Sequence, residues 1–532
     1  MKPDVIVVGS GMAGAPAAWL LAERGHSVLL IESGSNISPS ELPTASINWE
    51  DKKETKFNPV ASKRKNLGDY PVNDSKSPIA ICNFNALGGS SVIYSAHFPR
   101  FLKPDFMLKS EQGIGVDWPI GYDDLAPFFE MNEKIVRLSG KVGDIYYPEI
   151  NKVYNSPVPL GKAGKILADG FDKCNWHWWP SYAAINTDKN KKNRLKCHGL
   201  GPCNAGCPMG AKATVNNTYM KLKAFKHIDI MKETMVSKIL IQDSTTIGVE
   251  VIDNKGNKDK ILCETVVLAA GAVGTTRILL NSLDLCKTQL NMPGKDLIGK
   301  NLMMHPLGYA EGYFEDQIGT DKGPQGAMLY SMEFYRPLEK SVDFKLGFMM
   351  HALRGDSPVT MVKNLYKRRQ LKFGVDIYQQ FKEHYGHMMG IAIICEDLPD
   401  RSNKIELDKD NLDRFGVPGV KVTYQLSENT KKMMSYGLIK ARQVLKLAGA
   451  KKTSGFGPVR NTGWHLFGTT CMGENPQTSV VDSSGSIHGL KGVYVFDASV
   501  FPTSSCVNPA NTIQALSLYL TDKLDKRLKD ER

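Results

Sequence analysis

The sequence is poor in cysteine, with 10 in 532 residues, and poor in long uninterrupted hydrophobic runs. Cysteine at that density cannot build a disulfide scaffold, which leaves reduced thiols of an intracellular protein, or ligands. Acidic residues are in deficit, 55 Asp and Glu against 67 Lys and Arg, for a net charge of +12. The basic residues recur in short runs at 189–196, at 367–372 and from Lys523 onward, with no nucleic-acid motif to organise them, so no nucleic-acid partner is expected. Internal repeats and low-complexity linkers are also missing. The contents of 42% hydrophobic and 23% charged residues are those of a globular chain with a large core. The longest uncharged stretch, residues 5–22, is of membrane-spanning length but is broken by Gly9, Gly11 and Gly14. No transmembrane segment is therefore expected. With only four residues ahead of that stretch there is no room for the basic start of an export signal, and the expected location is cytoplasmic.

What is present begins at that same stretch. Val5-Ile6-Val7-Val8 is β-branched and strand-like, Gly9-Ser10-Gly11-Met12-Ala13-Gly14 is a G-x-G-x-x-G turn, and a helix follows to about Arg24. A second strand, residues 27–31, ends at Glu32. Each part has a mechanical role in a Rossmann βαβ unit. Gly9 permits the tight turn, Gly11 admits a pyrophosphate close to the backbone, with Ala13 beside it at the helix N-terminus, and Gly14 lets helix and strand approach. Glu32 would accept from ribose hydroxyls and repel a 2′-phosphate, which disfavours NADP without separating NAD from FAD.

Three further stretches resemble the glucose-methanol-choline (GMC) oxidoreductases, an FAD-dependent family. Asn85-Ala86-Leu87-Gly88-Gly89-Ser90-Ser91 is similar to that family's glycine-serine loop along the flavin. Residues 265–280, TVVLAAGAVGTTRILL, resemble its later strand and turn. GWHLFGTTCMG from Gly463 and GVYVFDASVFPTSSCVNPANTIQAL from Gly492 resemble its C-terminal motifs. The likeness also takes in Asp117-Trp118-Pro119-Ile120 and residues 398–407, and so spans nearly the whole chain.

The resemblance implies an FAD-dependent enzyme that oxidises the CH–OH group of an alcohol, polyol or sugar by hydride transfer to the flavin. It places the catalytic pair on His465 and Asn508: an imidazole suited to take the hydroxyl proton, and an amide suited to orient the substrate oxygen. It places Gly88, Gly89, Ser90, Ser91, Tyr94, Val236, Asp497, Ala498, Asn508 and Thr512 along the cofactor. His305 is read as structural. Some relatives attach the flavin through a histidine after the Gly-Gly pair; the run here is Ser91-Val92-Ile93-Tyr94-Ser95, so non-covalent FAD is expected. An oxidase that uses oxygen and a lyase that keeps flavin only for structure are the alternative activities.

Cys197, Cys203 and Cys207 are spaced C-x5-C-x3-C in a Gly- and Pro-rich loop. Three thiols do not pair off, so metal or iron-sulfur ligation is the sharper reading, with His198 as an awkward fourth ligand for zinc. The spacing is similar to that of the family's sugar and polyol dehydrogenase branch, which implies a 3Fe-4S cluster, a small subunit and a cytochrome acceptor, and co-export to the periplasm as the alternative location. Another branch carries a similar stretch, followed as here by Gly210-Ala211-Lys212, without a cluster. The run at 189–196 is read as a solvated loop or as a docking surface for an acidic acceptor, and Trp176-His177-Trp178-Trp179 as packing or a sugar site. The expected architecture is α/β: a discontinuous Rossmann-type FAD domain from 1–155, 195–310 and 455–532, and an α+β substrate domain on an antiparallel sheet from 156–194 and 311–454.

Overall fold

In the computed structural model, which describes residues 2–189, 194–285, 292–324, 328–336 and 342–531, five short strands form one parallel sheet. Their order is Val493–Val495, Val266–Leu268, Val5–Val8, Val28–Ile31, Asp229–Met231. All four residues of Val5–Val8 are buried, as a strand covered on both faces requires. The helix Gly14–Glu23 returns the chain to Val28–Ile31. Its first turn is buried and small, Gly14-Ala15-Pro16-Ala17, which lets it lie close against the sheet. The C-terminal helix Ala510–Asp530 packs against it and against Tyr122–Val136.

The second sheet is six-stranded and antiparallel, in the order Lys452–Phe456, Leu307–Tyr313, Met388–Cys395, Phe348–Leu353, Leu329–Ser331, Trp179–Pro180. Its core continues into the helix Glu428–Leu447, whose Met433, Met434, Ala441, Val444 and Leu445 are buried. The stretch 347–394, which alternates like a strand in sequence, instead holds two strands separated by the helices Pro358–Lys367 and Ile377–His384. Two three-stranded sheets complete the α/β fold. In one of them Pro418–Thr423 pairs in parallel with Val72–Lys76, far away in sequence. No described helix is long and apolar enough to cross a membrane.

Candidate active site

The C-terminal ends of the parallel strands open into a cavity of about 500 Å³ that extends to the face of the antiparallel sheet. One end is built by the first βα turn. Gly9 holds φ +96°, and a Cβ there would lie 2.6 Å from the Ala269 carbonyl oxygen, while a Cβ on Gly14 would lie 1.7 Å from the carbonyl oxygen of Gly9. Neither position can carry a side chain in this conformation. A Cβ on Gly11, by contrast, would have no neighbour nearer than 3.9 Å, which leaves its backbone open to a ligand.

Gly9, Gly11, Ala13, Glu32, Gly89, Ser90, Tyr94, Val236, Asp497, Ala498, Asn508 and His465 all line the cavity. Four expected contacts do not. Gly14 packs helix to strand; Gly88 donates its N–H to the Ser10 hydroxyl at 2.9 Å; the Ser91 hydroxyl donates to the Gly88 carbonyl at 2.6 Å. Thr512 does not line the cavity either, its hydroxyl accepting from the Phe101 N–H at 3.1 Å. These four brace the cavity wall from behind.

Glu32 is buried and accepts from the Ser10 N–H and hydroxyl and from the Gly34 N–H, at 2.6–3.0 Å. Burial pushes its carboxyl up from the usual range, and the hydrogen bonds oppose that. Asp497 accepts from Gly271 N–H, Thr275 hydroxyl and Ser499 N–H and hydroxyl. It is thus both the cap of a short helix and part of the wall.

The other end of the cavity gathers four histidines, His97, His305, His351 and His465. Nδ1 of His305 lies 2.9 Å from Nδ1 of His465, and Nε2 of His305 lies 3.1 and 3.0 Å from the carbonyl oxygens of Ser504 and Ser505. Carbonyls only accept, so the His305 Nε2 carries hydrogen. Burial pushes the His305 pKa down to about 4, so the ring is neutral and its Nδ1 is a bare acceptor. His465 must then donate from Nδ1. Its own pKa is lowered, first by burial and then by His305 and His97, which leaves Nε2 with a lone pair and, among the described residues, no protein partner. The sequence treats His305 as structural. The structure makes it the group that fixes the tautomer of His465.

His97 and His351 lie in close ring contact, their centroids 3.8 Å apart and their planes tilted by 51°. Both pKa values are lowered, that of His351 to about 3, chiefly by burial. They carry no motif: His97 follows the flavin loop and His351 sits mid-strand in Phe348–Leu353, where only the fold brings them together. Apart from the histidines, Glu32, Arg277 and Asp497 are the only Asp, Glu, Lys or Arg side chains on the cavity wall among the described residues, all at the nucleotide end. Asn508 lines the histidine end, and its buried amide oxygen has no hydrogen-bond partner.

The three cysteines are not gathered into a ready-made ligand set. Among the described residues no group of three or more His, Cys, Asp or Glu side chains could hold a metal ion. Cys197, Cys203 and Cys207 form no disulfide, and local backbone engages at least two of them. The Gly199 N–H donates to Cys197 Sγ at 3.4 Å, and Cys203 Sγ contacts the Gly201 carbonyl at 3.6 Å. Burial also pushes the Cys197 thiol pKa up. The loop has another anchor: the buried Lys212 ammonium donates to the carbonyls of Val92, Tyr94 and Cys203 at 2.9, 2.7 and 2.7 Å. The basic run ahead of it is no uniform docking face either. Residues 190–193 lie outside the described residues, and Arg194 is buried, its guanidinium donating to the carbonyls of Val136, Ala184 and Ala211. Trp176 packs edge-on against Phe334, and the Trp178 and Trp179 indoles donate to Asp172 and to the Lys141 carbonyl. None of the three tryptophans lines the cavity.

A Rossmann turn, a buried acid on the second strand and a proton-accepting imidazole at the far end of one cavity define a dinucleotide-dependent oxidoreductase. The family follows from comparison: the GMC oxidoreductase profiles match residues 4–307 and 399–517, and the chain belongs to that family. It is therefore an FAD-dependent enzyme acting on the CH–OH groups of alcohol- or sugar-like substrates. It is 31% identical to a 2-methyl-1,2-propanediol dehydrogenase of Mycolicibacterium austroafricanum, over 99% of this chain and 96% of that one. It is 24% identical to the fructose dehydrogenase large subunit of Gluconobacter japonicus, over 99% of each. The fold superposes on a formate oxidase of Aspergillus oryzae with a TM-score of 0.67 at 16% identity, over 99% of each chain.

Proposed function

We propose that the enzyme is a dehydrogenase that oxidises a neutral, hydroxyl-rich substrate, a diol, polyol or sugar, with His465 as the base. The observation that carries this reading is the Nδ1 to Nδ1 contact between His305 and His465, because it leaves His465 Nε2 bare where the cavity ends. The Asn508 amide faces the same space and orients the substrate oxygen. Imidazoles without carboxylates or cations around them suit hydroxyls and reject charged substrates.

The turn 9–13, Glu32, Val236, Gly89, Ser90, Asp497 and Ala498 line the cavity where FAD would be held, and bound there it would supply the hydride acceptor. The chain's own part is to hold the carbinol in place, exclude water and draw its proton onto His465 Nε2, with the resulting imidazolium sharing its Nδ1–H with His305. Because His465 is neutral to well below pH 6.5, stopped-flow flavin reduction is expected to stay level as pH falls through 6.5. A rate that titrates at 6.5 would contradict that.

Ile93 is fully buried and lines the cavity, and a hydrocarbon forms no bond to flavin. Acid precipitation is therefore expected to leave all yellow colour in the supernatant; flavin retained in the pellet would show a covalent link. The resemblance to two named dehydrogenases supports an acceptor other than oxygen, a small subunit with a cytochrome being the form expected from sequence. The deciding experiment is anaerobic bleaching of the flavin by propane-1,2-diol, polyols and sugars, followed by mixing with oxygen or with a dye acceptor. Fast reoxidation by dye and slow reoxidation by oxygen supports the dehydrogenase. Rapid peroxide formation makes it an oxidase, and flavin that no substrate bleaches makes it a lyase.

A further inference from the structure

Between the strands Phe348–Leu353 and Met388–Cys395, which pair directly with Leu353 opposite Gly390, the chain makes an excursion that lies wholly in the stretch 308–398 between the two family-profile matches. It is a helical hairpin, Pro358–Lys367 and Ile377–His384. Met361, Leu365 and Leu371 form its own small buried core, with Ile377, Phe381 and Tyr385 packed on them. Its root is fixed. The Glu50 carboxylate accepts from the N–H groups of Val359 and Thr360 at 2.9 and 3.0 Å and from the Ser357 hydroxyl, while His384 and His387 lie against the ring of Tyr313.

Its tip is apolar and open. Tyr366 is 55% exposed, Phe373 66%, Val375 100% and Tyr378 68%. The hairpin's small core takes Met361, Leu365 and Leu371 with Val362, Ile377, Phe381 and Tyr385 against them, and these four lie outside it. Around them stand Lys363, Lys367, Arg369, Lys372 and Lys382, all exposed, and the segment 358–384 has six Lys or Arg against two Asp or Glu. The Lys382 ammonium sits 4.7 Å from the Tyr378 ring centroid, so cation and aromatic share one face.

We propose that this hairpin tip docks on the surface of an anionic lipid bilayer. Aromatic and aliphatic side chains on a projecting, cationic tip match the two terms of interfacial binding: apolar burial at the headgroup boundary and attraction to acidic lipid. Four exposed apolar side chains ringed by cations suit a deformable, anionic interface better than a protein partner, which would need a matching acidic and apolar surface. With no described helix able to span a bilayer, the association is peripheral. It also has a location: His351 and Leu353, on the strand that feeds the hairpin, line the active-site cavity.

The test is co-sedimentation of the flavin-loaded full chain with vesicles of phosphatidylcholine alone or with one-fifth phosphatidylglycerol, at low and high salt. Binding to the anionic vesicles at least tenfold tighter than to the neutral ones, weakened by salt, is expected. The triple substitution Phe373→Ser, Val375→Ser, Tyr378→Ser should lower that binding at least tenfold. Lys367→Glu with Lys372→Glu should remove the preference for anionic lipid. Flavin content and the rate of flavin reduction should be unchanged in both variants, which shows that they fold. Failure to sediment with anionic vesicles, or undiminished binding by the triple variant, overturns the proposal. So does a concentration-dependent dimer in light scattering that the triple variant abolishes, since the occupant would then be a second copy.

Discussion

Substitution of His465 by alanine is expected to slow flavin reduction about 10²- to 10⁴-fold, the range general-base catalysis supplies, with flavin still bound. The reason lies in the chain of donors behind it. The carbonyls of Ser504 and Ser505 take the Nε2 hydrogen of His305, His305 presents a bare Nδ1, and His465 is left with only Nε2 for the substrate. Without the ring, the hydroxyl proton has no acceptor and the carbinol must lose hydride as a neutral alcohol. His305→Ala should give a smaller loss, because His465 remains but either of its nitrogens can then carry the hydrogen. Single-turnover bleaching of both variants against wild type measures this. Equal rates in wild type and His465→Ala would remove the histidine from the chemistry.

Substitution of Lys212 by methionine is expected to cost about 2–4 kcal/mol of stability, by leaving three carbonyls without their donor in a buried site. Burial lowers the pKa of this lysine to about 8, so it is an ammonium at neutral pH. It ties the flavin-side segment Val92 to Tyr94 to the cysteine loop at Cys203. Asn204, next in that loop, lines the cavity. Loss of the tie should therefore reach the cofactor as well as the fold. A urea denaturation curve and a flavin titration of the variant would both move, flavin binding weakening along with stability. A variant as stable as the parent would show that solvent or other donors reach those carbonyls.

The nucleotide end of the site was readable because its requirements are local. Gly9, Gly14 and Glu32 follow from the covalent geometry of one turn and the reach of one strand, all within 24 residues, and the C-terminal motifs carried His465 and Asn508. The histidine cluster was not readable. His97 and His351 come from a loop and a strand with no spacing rule between them, and His305 took on its role only when Ser504 and Ser505 were folded against it. The cysteine triplet gains no support as a cluster for a related reason. Close spacing permits a ligand set, but the loop's own backbone bonds engage the thiols of Cys197 and Cys203. Nor could composition show that a stretch alternating like a strand would leave the sheet as two helices, since Met361 and Leu365 bury into a core only those helices create.

The strand order of the parallel sheet also bears on how the protein is made. Val5–Val8 leaves the ribosome early, yet one of its partners is Val266–Leu268, and the strand beyond that is Val493–Val495. At roughly 5–20 residues per second, the first turn waits on the order of half a minute or longer before the chain segment carrying Asp497 and Asn508 exists. Until then the half-made sheet lacks its outer strand, and the cavity lacks these two residues of its wall. Expression with ample riboflavin and chaperone capacity should raise the yield of loaded enzyme more than slower transcription would.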